Sequence, residues 1–245
     1  MRVGMFPPMY HLAFESLAYF VGFRVFLWVR QKDSIQVSQR NWVIAGGILG
    51  AAVGAKLIVW LDDPAWFIRN LSDAHQLIAG KGIVGALVGG WLGVEITKKI
   101  IGLSRPTGDL FVIPLILGIV IGRMGCFVTG FYDKTYGLPT TLPWGFDFGD
   151  GVVRHPTQLY EIIFMLVLLT FIQIRKKYVF SEGDIFRFFM IGYLTFRFFV
   201  EFIKPTPRFY FGMDIVQVLA VMGLFVIGRS IKPMFRFALV EKESR

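Results

Sequence analysis

The chain is poor in the residues that most soluble functional centres use. One cysteine, Cys126, and three histidines occur in 245 residues. A single thiol excludes an internal disulfide and any paired-cysteine metal or redox motif. Acidic residues are also scarce, 17 against 26 Lys and Arg, for a formal charge of +9. On a soluble protein that excess would suggest nucleic acid. Here the basic residues sit beside apolar runs, as the cytoplasmic connections of a membrane protein require, so nucleic acid is not expected as a partner. Low-complexity linkers are absent too, and one polytopic domain over 1–245 is expected.

Apolar sequence is what the chain has in abundance. Hydrophobic residues make up 55%, with 26 Phe and 6 Trp. Repeated apolar runs of about 20 residues argue for membrane-crossing helices. Seven are predicted, over 10–30, 41–61, 77–97, 109–128, 156–174, 185–204 and 212–230. The first run is long and keeps Glu15 and Arg24, so it reads as a retained helix, not a cleaved signal. The third is rich in glycine (Gly80, Gly82, Gly85, Gly89, Gly90, Gly93), which suits close helix approach and also fits a broken segment.

Lys and Arg set the orientation. Arg30, Lys32 and Arg40, then Lys98, Lys99 and Arg105, then Arg175, Lys176 and Lys177, and finally Arg229, Lys232 and Arg236 mark four cytoplasmic connections. The expected fold is therefore an all-α membrane protein, a seven-helix bundle with its N-terminus out and its C-terminus in. The connection 129–155 is too long for a tight turn. It reads as an extramembrane flap at the interface, whose Tyr132, Tyr136, Trp144, Phe146 and Phe148 either anchor it or gate a substrate.

The same map gathers charge at one depth. A charged group at mid-helix costs roughly 2.5–3.5 kcal/mol on insertion scales. Yet Arg123 ends one outward run, His155 and Glu161 open the next inward one, Arg197, Glu201 and Lys204 close another, and Lys81 starts a fourth. All are expected in the outer leaflet. Arg123 lies between Gly122 and Gly125, which bare the backbone, and a guanidinium can grip phosphate through two N–H groups. A lipid phosphate is its expected partner, with headgroup snorkelling as the plainer alternative. His155 precedes Pro156 at a helix start and serves either as a general base or as a cap. Gln158 and Glu161, three apart, share a face. Arg197 and Glu201, four apart, form either a register-fixing pair or an oriented cation. Lys204 lies one turn further out. Structural pairing is the expectation for Arg24, Lys56 and Glu95.

Three blocks carry a family resemblance. Gly108-Asp109 leads through the run to Gly122-Arg123-Met124-Gly125-Cys126-Phe127, and Tyr136-Gly137-Leu138-Pro139-Thr140 follows. Arg154-His155-Pro156-Thr157-Gln158-Leu159-Tyr160-Glu161 is the second block. Phe196-Arg197-Phe198-Phe199-Val200-Glu201-Phe202 is the third, with Gln217 beyond it. In this order they resemble the phosphatidylglycerol–prolipoprotein diacylglyceryl transferases. The resemblance implies a bacterial inner-membrane enzyme active near the outer leaflet. It would move a diacylglyceryl group from phosphatidylglycerol to the cysteine thiol of a prolipoprotein signal peptide, with no cofactor and no metal.

Under that resemblance Arg123, Arg197, Glu201 and Lys81 are catalytic candidates. Gly122, Gly125, Gly137, His155, Gln158, Tyr160, Glu161 and Lys204 are substrate contacts. The chain also departs from the family pattern. Cys126 and Thr129 stand where asparagines are usual, and about two extra residues fall within 131–135, where Asp133 is the nearest acid. Val84 replaces the third-helix histidine, leaving Lys81, one turn earlier, as an alternative base or a phosphate-binding cation. Glu15 replaces a tyrosine. A different acceptor for the same lipid donor, or lipid binding without chemistry, are the competing readings.

Overall fold

The computed structural model describes residues 8–30, 35–78, 80–175 and 182–229. Lys32, Lys176, Lys177, Lys232 and Arg236, used above for orientation, lie outside them. The described residues group into two compact units, one holding those up to 30 and those between 107 and 205, the other those between 35 and 106 and those from 206 to 229.

The first unit contains α1 (Pro8–Val29), α6 (Asp109–Thr129), α7 (Thr157–Arg175) and α8 (Asp184–Val200). Helix α1 runs antiparallel to α6. Phe14 packs on Gly125, Gly22 lies against the Pro114 carbonyl, and Phe26 stacks on Phe111 at 5.1 Å. Helices α7 and α8 form a second antiparallel pair through Phe164–Phe196 at 4.5 Å and Phe171–Phe188 at 5.1 Å. Asp109, the first residue of α6, caps α8 from outside. Its carboxylate accepts from the backbone N–H groups of Gly183 and Phe186 at 2.7 and 2.9 Å, satisfying donors that a helix start leaves open.

The second unit contains α2 (Val37–Asp62), the short α3 (Pro64–Arg69) and α4 (Ala74–Ile78), α5 (Ile83–Ile100) and α9 (Ile215–Gly228). Helices α2 and α5 meet backbone to backbone. Gly46, Gly50 and Gly54 face Gly93, Gly89 and Gly85, and a methyl on any of them would collide with the opposite main chain. The close-approach reading of the glycine-rich run therefore holds, and α2 supplies a matching stripe.

That run does not form one helix from 77. Gly80 adopts a left-handed φ of +73°, which L-residues disfavour, and α5 begins only at Ile83. The lead-in is braced by α2 instead. Gly82 N–H donates to the Ala55 carbonyl at 3.1 Å, Lys56 Nζ to that of Gly80 at 2.6 Å, and Trp60 Nε1 to that of Leu77 at 3.1 Å. Lys81 accordingly sits ahead of the helix, not within its first turn. Glu95 pairs with Lys98 at 3.0 Å, as expected of a structural charge.

Four helical stretches are long and apolar enough to cross a membrane: Met9–Val29, Val37–Asp62, Asp109–Asp133 and Thr157–Ile174. Their outer faces expose large apolar residues such as Phe20, Phe23, Leu49, Ile163 and Val167, which is what a lipid-facing surface presents. The molecule is a mostly helical membrane protein. The other three predicted helices are present but shorter or more charged: α5 carries Glu95, Lys98 and Lys99, α8 has 17 residues, and α9 has 14.

The 129–155 connection starts with a 3-10 turn, Gly130–Asp133, and contains β1 (Phe146–Asp147) paired antiparallel with β2 (Val153–Arg154). Its aromatics divide between two uses. Phe148 is fully buried against Phe146, Tyr136 and Phe127, whereas Trp144 and Tyr132 are exposed.

Candidate active site

The charged positions of the first unit extend apolar stripes that point inward. On α7 the buried residues Glu161, Met165, Leu168 and Ile172 recur every three or four positions, the spacing of one helix face. On α8 Phe189, Tyr193, Arg197 and Val200 do the same, with Glu201 in the 3-10 turn just beyond, and on α6 Arg123 follows Val112, Ile116, Ile119 and Val120. Each ionisable group thus stands where a core side chain would, one or two turns from a helix end.

They meet at Glu161, which is 3% exposed. Its Oε2 lies 2.9 Å from Arg123 Nε and accepts from Arg197 Nη1 at 3.1 Å. Its Oε1 accepts from the Tyr193 hydroxyl at 2.8 Å. Arg197 Nη2 also donates to Glu201 Oε1, and Lys204 Nζ lies 3.5 Å from that oxygen. Arg123, Glu161, Arg197, Glu201 and Lys204 therefore form one connected cluster within the first unit. Three cations against two carboxylates leave one positive charge when all are ionised. The Arg123 Nε contact is one of charge, without in-line hydrogen-bond geometry. Arg197 Nε and Glu201 Oε2 are buried without a hydrogen-bond partner, an arrangement native proteins seldom keep without a use.

The other candidates form a second, flanking network. His155 Nδ1 is 3.1 Å from the Tyr160 hydroxyl, which accepts from Trp144 Nε1 at 2.9 Å. The His155 side chain therefore bonds to Tyr160, and its backbone N–H donates to the Leu138 carbonyl. Gln158 Nε2 donates to Thr135 Oγ1 at 3.1 Å, and Thr157 Oγ1 donates to the Thr135 carbonyl at 2.6 Å. Gln158 Oε1 is buried and unpaired. Gly137 threads between His155 and the end of α8. A Cβ there would lie 2.7 Å from both the His155 Cβ and the Ile203 carbonyl, so no larger residue fits. The two glycines beside Arg123 differ: Gly122 faces open space, whereas Gly125 is covered by Phe14.

Lys81 belongs to the second unit, where Lys56 is its charged neighbour. Val84, at the position of the absent histidine, is 1% exposed in the α2–α5 core. Gln217 forms a reciprocal cap at the start of α9: its N–H donates to Asp214 Oδ1 at 2.8 Å, and its Oε1 accepts from Asp214 N–H at 3.1 Å.

Tyr193 is the cluster member that sequence reasoning missed. The signal was available, since Tyr193, Arg197 and Glu201 stand at successive intervals of four on one face. Outside the membrane-spanning segments, Arg154 grips Asp150 through both nitrogens at 2.6 and 2.7 Å. That bond holds the Asp150 carboxyl below the usual carboxylate range.

Comparison with known proteins identifies the family. The prolipoprotein diacylglyceryl transferase family model matches residues 8–231. Among similar curated proteins is the phosphatidylglycerol–prolipoprotein diacylglyceryl transferase of Cupriavidus metallidurans, 31% identical over 79% of this chain and 77% of its own length. The transferase of the same name from Campylobacter lari is 30% identical over 86% of this chain and 83% of its own. That of Nitratidesulfovibrio vulgaris is 33% identical over 77% and 75%. With the family model matching most of its length and relatives of 30% identity or more covered over three quarters of theirs, the chain belongs to the prolipoprotein diacylglyceryl transferase family.

Proposed function

We propose that this protein transfers the diacylglyceryl group of phosphatidylglycerol to the cysteine thiol of a prolipoprotein signal peptide. The acceptor sulfur bonds to the glyceryl carbon that bears the phosphate ester. The carbon–oxygen bond breaks, its electron pair stays with the departing glycerol phosphate, and the thiol proton passes to a base. The observation that carries the proposal is the Arg123–Glu161–Arg197–Glu201–Lys204 cluster, buried among helices yet one positive charge in excess. A phosphodiester brings the matching negative charge.

Arg123 and Arg197 bind the phosphate, using donors such as the unpaired Arg197 Nε. Glu161 and Glu201 fix the two guanidiniums beforehand, so charge growing on the leaving phosphate meets donors already in place. Lys204 adds a further cation. His155, Tyr160, Gln158 and Gly137 shape the loop beside the lipid headgroup. Gly122 leaves room on the Arg123 side, while Gly125 serves by seating α1. Lys81 is the candidate thiol base or second phosphate ligand, supported by its sequence position. We place the protein in the bacterial inner membrane with seven crossings, N-terminus out, and the cluster near the outer leaflet. The charge asymmetry of the connections supports that orientation.

A second reading keeps the donor and changes the acceptor. Val84, apolar and packed where the family pattern has histidine, favours it. Complementation of a strain depleted of its own transferase, combined with transfer of labelled phosphatidylglycerol to a signal peptide by purified protein, tests the proposal. Growth and lipidated peptide are expected. Lipid turnover without lipidated peptide selects the second reading, and no turnover refutes both.

A further inference from the structure

Beside the arginine cluster lies a group of side chains that the proposed transfer does not use. His11 comes from α1, Cys126 from the end of α6, and Asp133 from the 3-10 turn that follows. Their ligand atoms all lie within 4.8 Å of one another, with His11 Nδ1 and Asp133 Oδ1 only 3.1 Å apart. That pair is close but not aligned: the buried Nδ1 makes no hydrogen bond despite the nearby oxygen. The imidazole nitrogen and the carboxylate approach without forming a hydrogen bond, and the Cys126 sulfur completes a triangle of three potential ligand atoms.

We propose that His11, Cys126 and Asp133 bind a borderline-soft divalent metal ion of the zinc class. The donor set supports the choice. Imidazole, thiolate and carboxylate are the ligands zinc takes, and a thiolate disfavours magnesium or calcium. Tetrahedral zinc with its usual bond lengths sets ligand atoms about 3.3–3.6 Å apart, within the range these three span. Thiolate and carboxylate together balance the ion's two charges, and the thiol proton leaves to solvent on binding.

The surroundings fit as well. Asp133 Oδ2 accepts a short hydrogen bond from Thr135 Oγ1, the kind of outer contact that orients a ligating carboxylate. Cys126 is 8% exposed, and its Sγ lies 3.9 Å from Arg123 Nη1. The Arg123 guanidinium beside the sulfur is itself balanced by Glu161 at 2.9 Å, and a bound metal ion would supply the charge that holds the buried sulfur deprotonated. Three protein ligands leave a fourth position open. Cys126 and Asp133 both fall where the sequence leaves the family pattern, and His11 reaches them only because α1 packs antiparallel on α6.

The test uses the full chain in detergent, stripped by chelator and titrated with cobalt(II). One cobalt per chain is expected, with a sulfur-to-metal charge-transfer band in the near ultraviolet that zinc removes by displacing cobalt. Cys126→Ser abolishes the band. Thr135→Val, which leaves all three ligands in place, weakens binding about 10–100-fold, and His11→Gln weakens it further. Absence of stoichiometric cobalt uptake by the unaltered protein overturns the proposal, as does a band that persists in Cys126→Ser. None of these readouts depends on transferase activity.

Discussion

The two units solve helix packing in opposite ways. In the second, α2 and α5 touch through glycine, main chain against main chain along the Gly46–Gly50–Gly54 stripe. In the first, α6, α7 and α8 meet through long charged side chains and a tyrosine, all buried. A glycine seam gives close, rigid contact without chemistry. A charged seam holds its helices less closely but places cations and carboxylates at fixed positions inside an apolar bundle. The contrast marks the first unit as the one suited to the proposed phosphate grip and predicts how each should fail.

The largest effects should come from the charged seam. Arg123→Lys and Arg197→Lys keep the positive charge but lose the planar fork. Each is expected to retain the fold and lower transfer about 100-fold or more, the loss of nearly 3 kcal/mol of transition-state stabilisation. Alanine at either site should also destabilise, and more so at Arg197. Removing one partner of a buried pair costs about 3–5 kcal/mol, and Arg197 serves two carboxylates. Lipid turnover together with a thermal melt separates the two losses. Full turnover in both lysine variants would erase the distinction between the units.

The glycine seam should break sterically. Gly89→Val drives a branched side chain into the Gly50 carbonyl and is expected to destabilise by about 3 kcal/mol or more, beyond ordinary overpacking. Gly122→Ala, on the charged helix but facing open space, should leave stability unchanged. Melting temperatures of the two variants make the comparison; equal shifts would mean that the seam is not held by its glycines.

Tyr193→Phe sharpens the charged side. It removes a hydroxyl that donates to Glu161 at 2.8 Å from full burial. A bond to an ionised group is worth about 1.5–3 kcal/mol, so stability should fall by that order. Transfer should fall less than in the arginine variants, because Tyr193 contacts the carboxylate and not the proposed phosphate. An equal fall would make the hydroxyl part of the phosphate grip.

These expectations show what the sequence carried. Arg123, Glu161, Arg197, Glu201 and Lys204 were legible because a charge inside an apolar run is costly and the topology puts them at one depth. That Glu161 is the hub was not legible. Which face of α7 meets α6 and α8 depends on helix rotation, which the Phe164–Phe196 and Phe171–Phe188 stacks settle. The start of α5 was misplaced because apolar residues on both sides of Gly80 hide its left-handed backbone. The Asp214–Gln217 cap was written in plain spacing but lay at the edge of a long apolar run. His11 and Asp133 are far apart in sequence, and only the α1–α6 packing brings them together.

The smallest effect belongs outside both seams, at the rim of the 129–155 connection. Arg154 holds Asp150 and lies over the Tyr136 ring at 4.8 Å. Because the folded state lowers the Asp150 pKa, this contact stabilises the loop above the unfolded carboxylate range, near pH 4. The contribution disappears as pH falls through the lower folded value. Asp150→Asn should therefore speed amide exchange of Val152 and Val153 at neutral pH, with no further acceleration on acidification. The unaltered protein should approach the same behaviour only in acid. Transfer should be unaffected, since the pair is bonded within its own loop and is no part of the Glu161 cluster. A loss of transfer comparable to that of Tyr193→Phe would extend the charged seam into the loop, and the contrast would then lie between a glycine pair and everything else in the first unit.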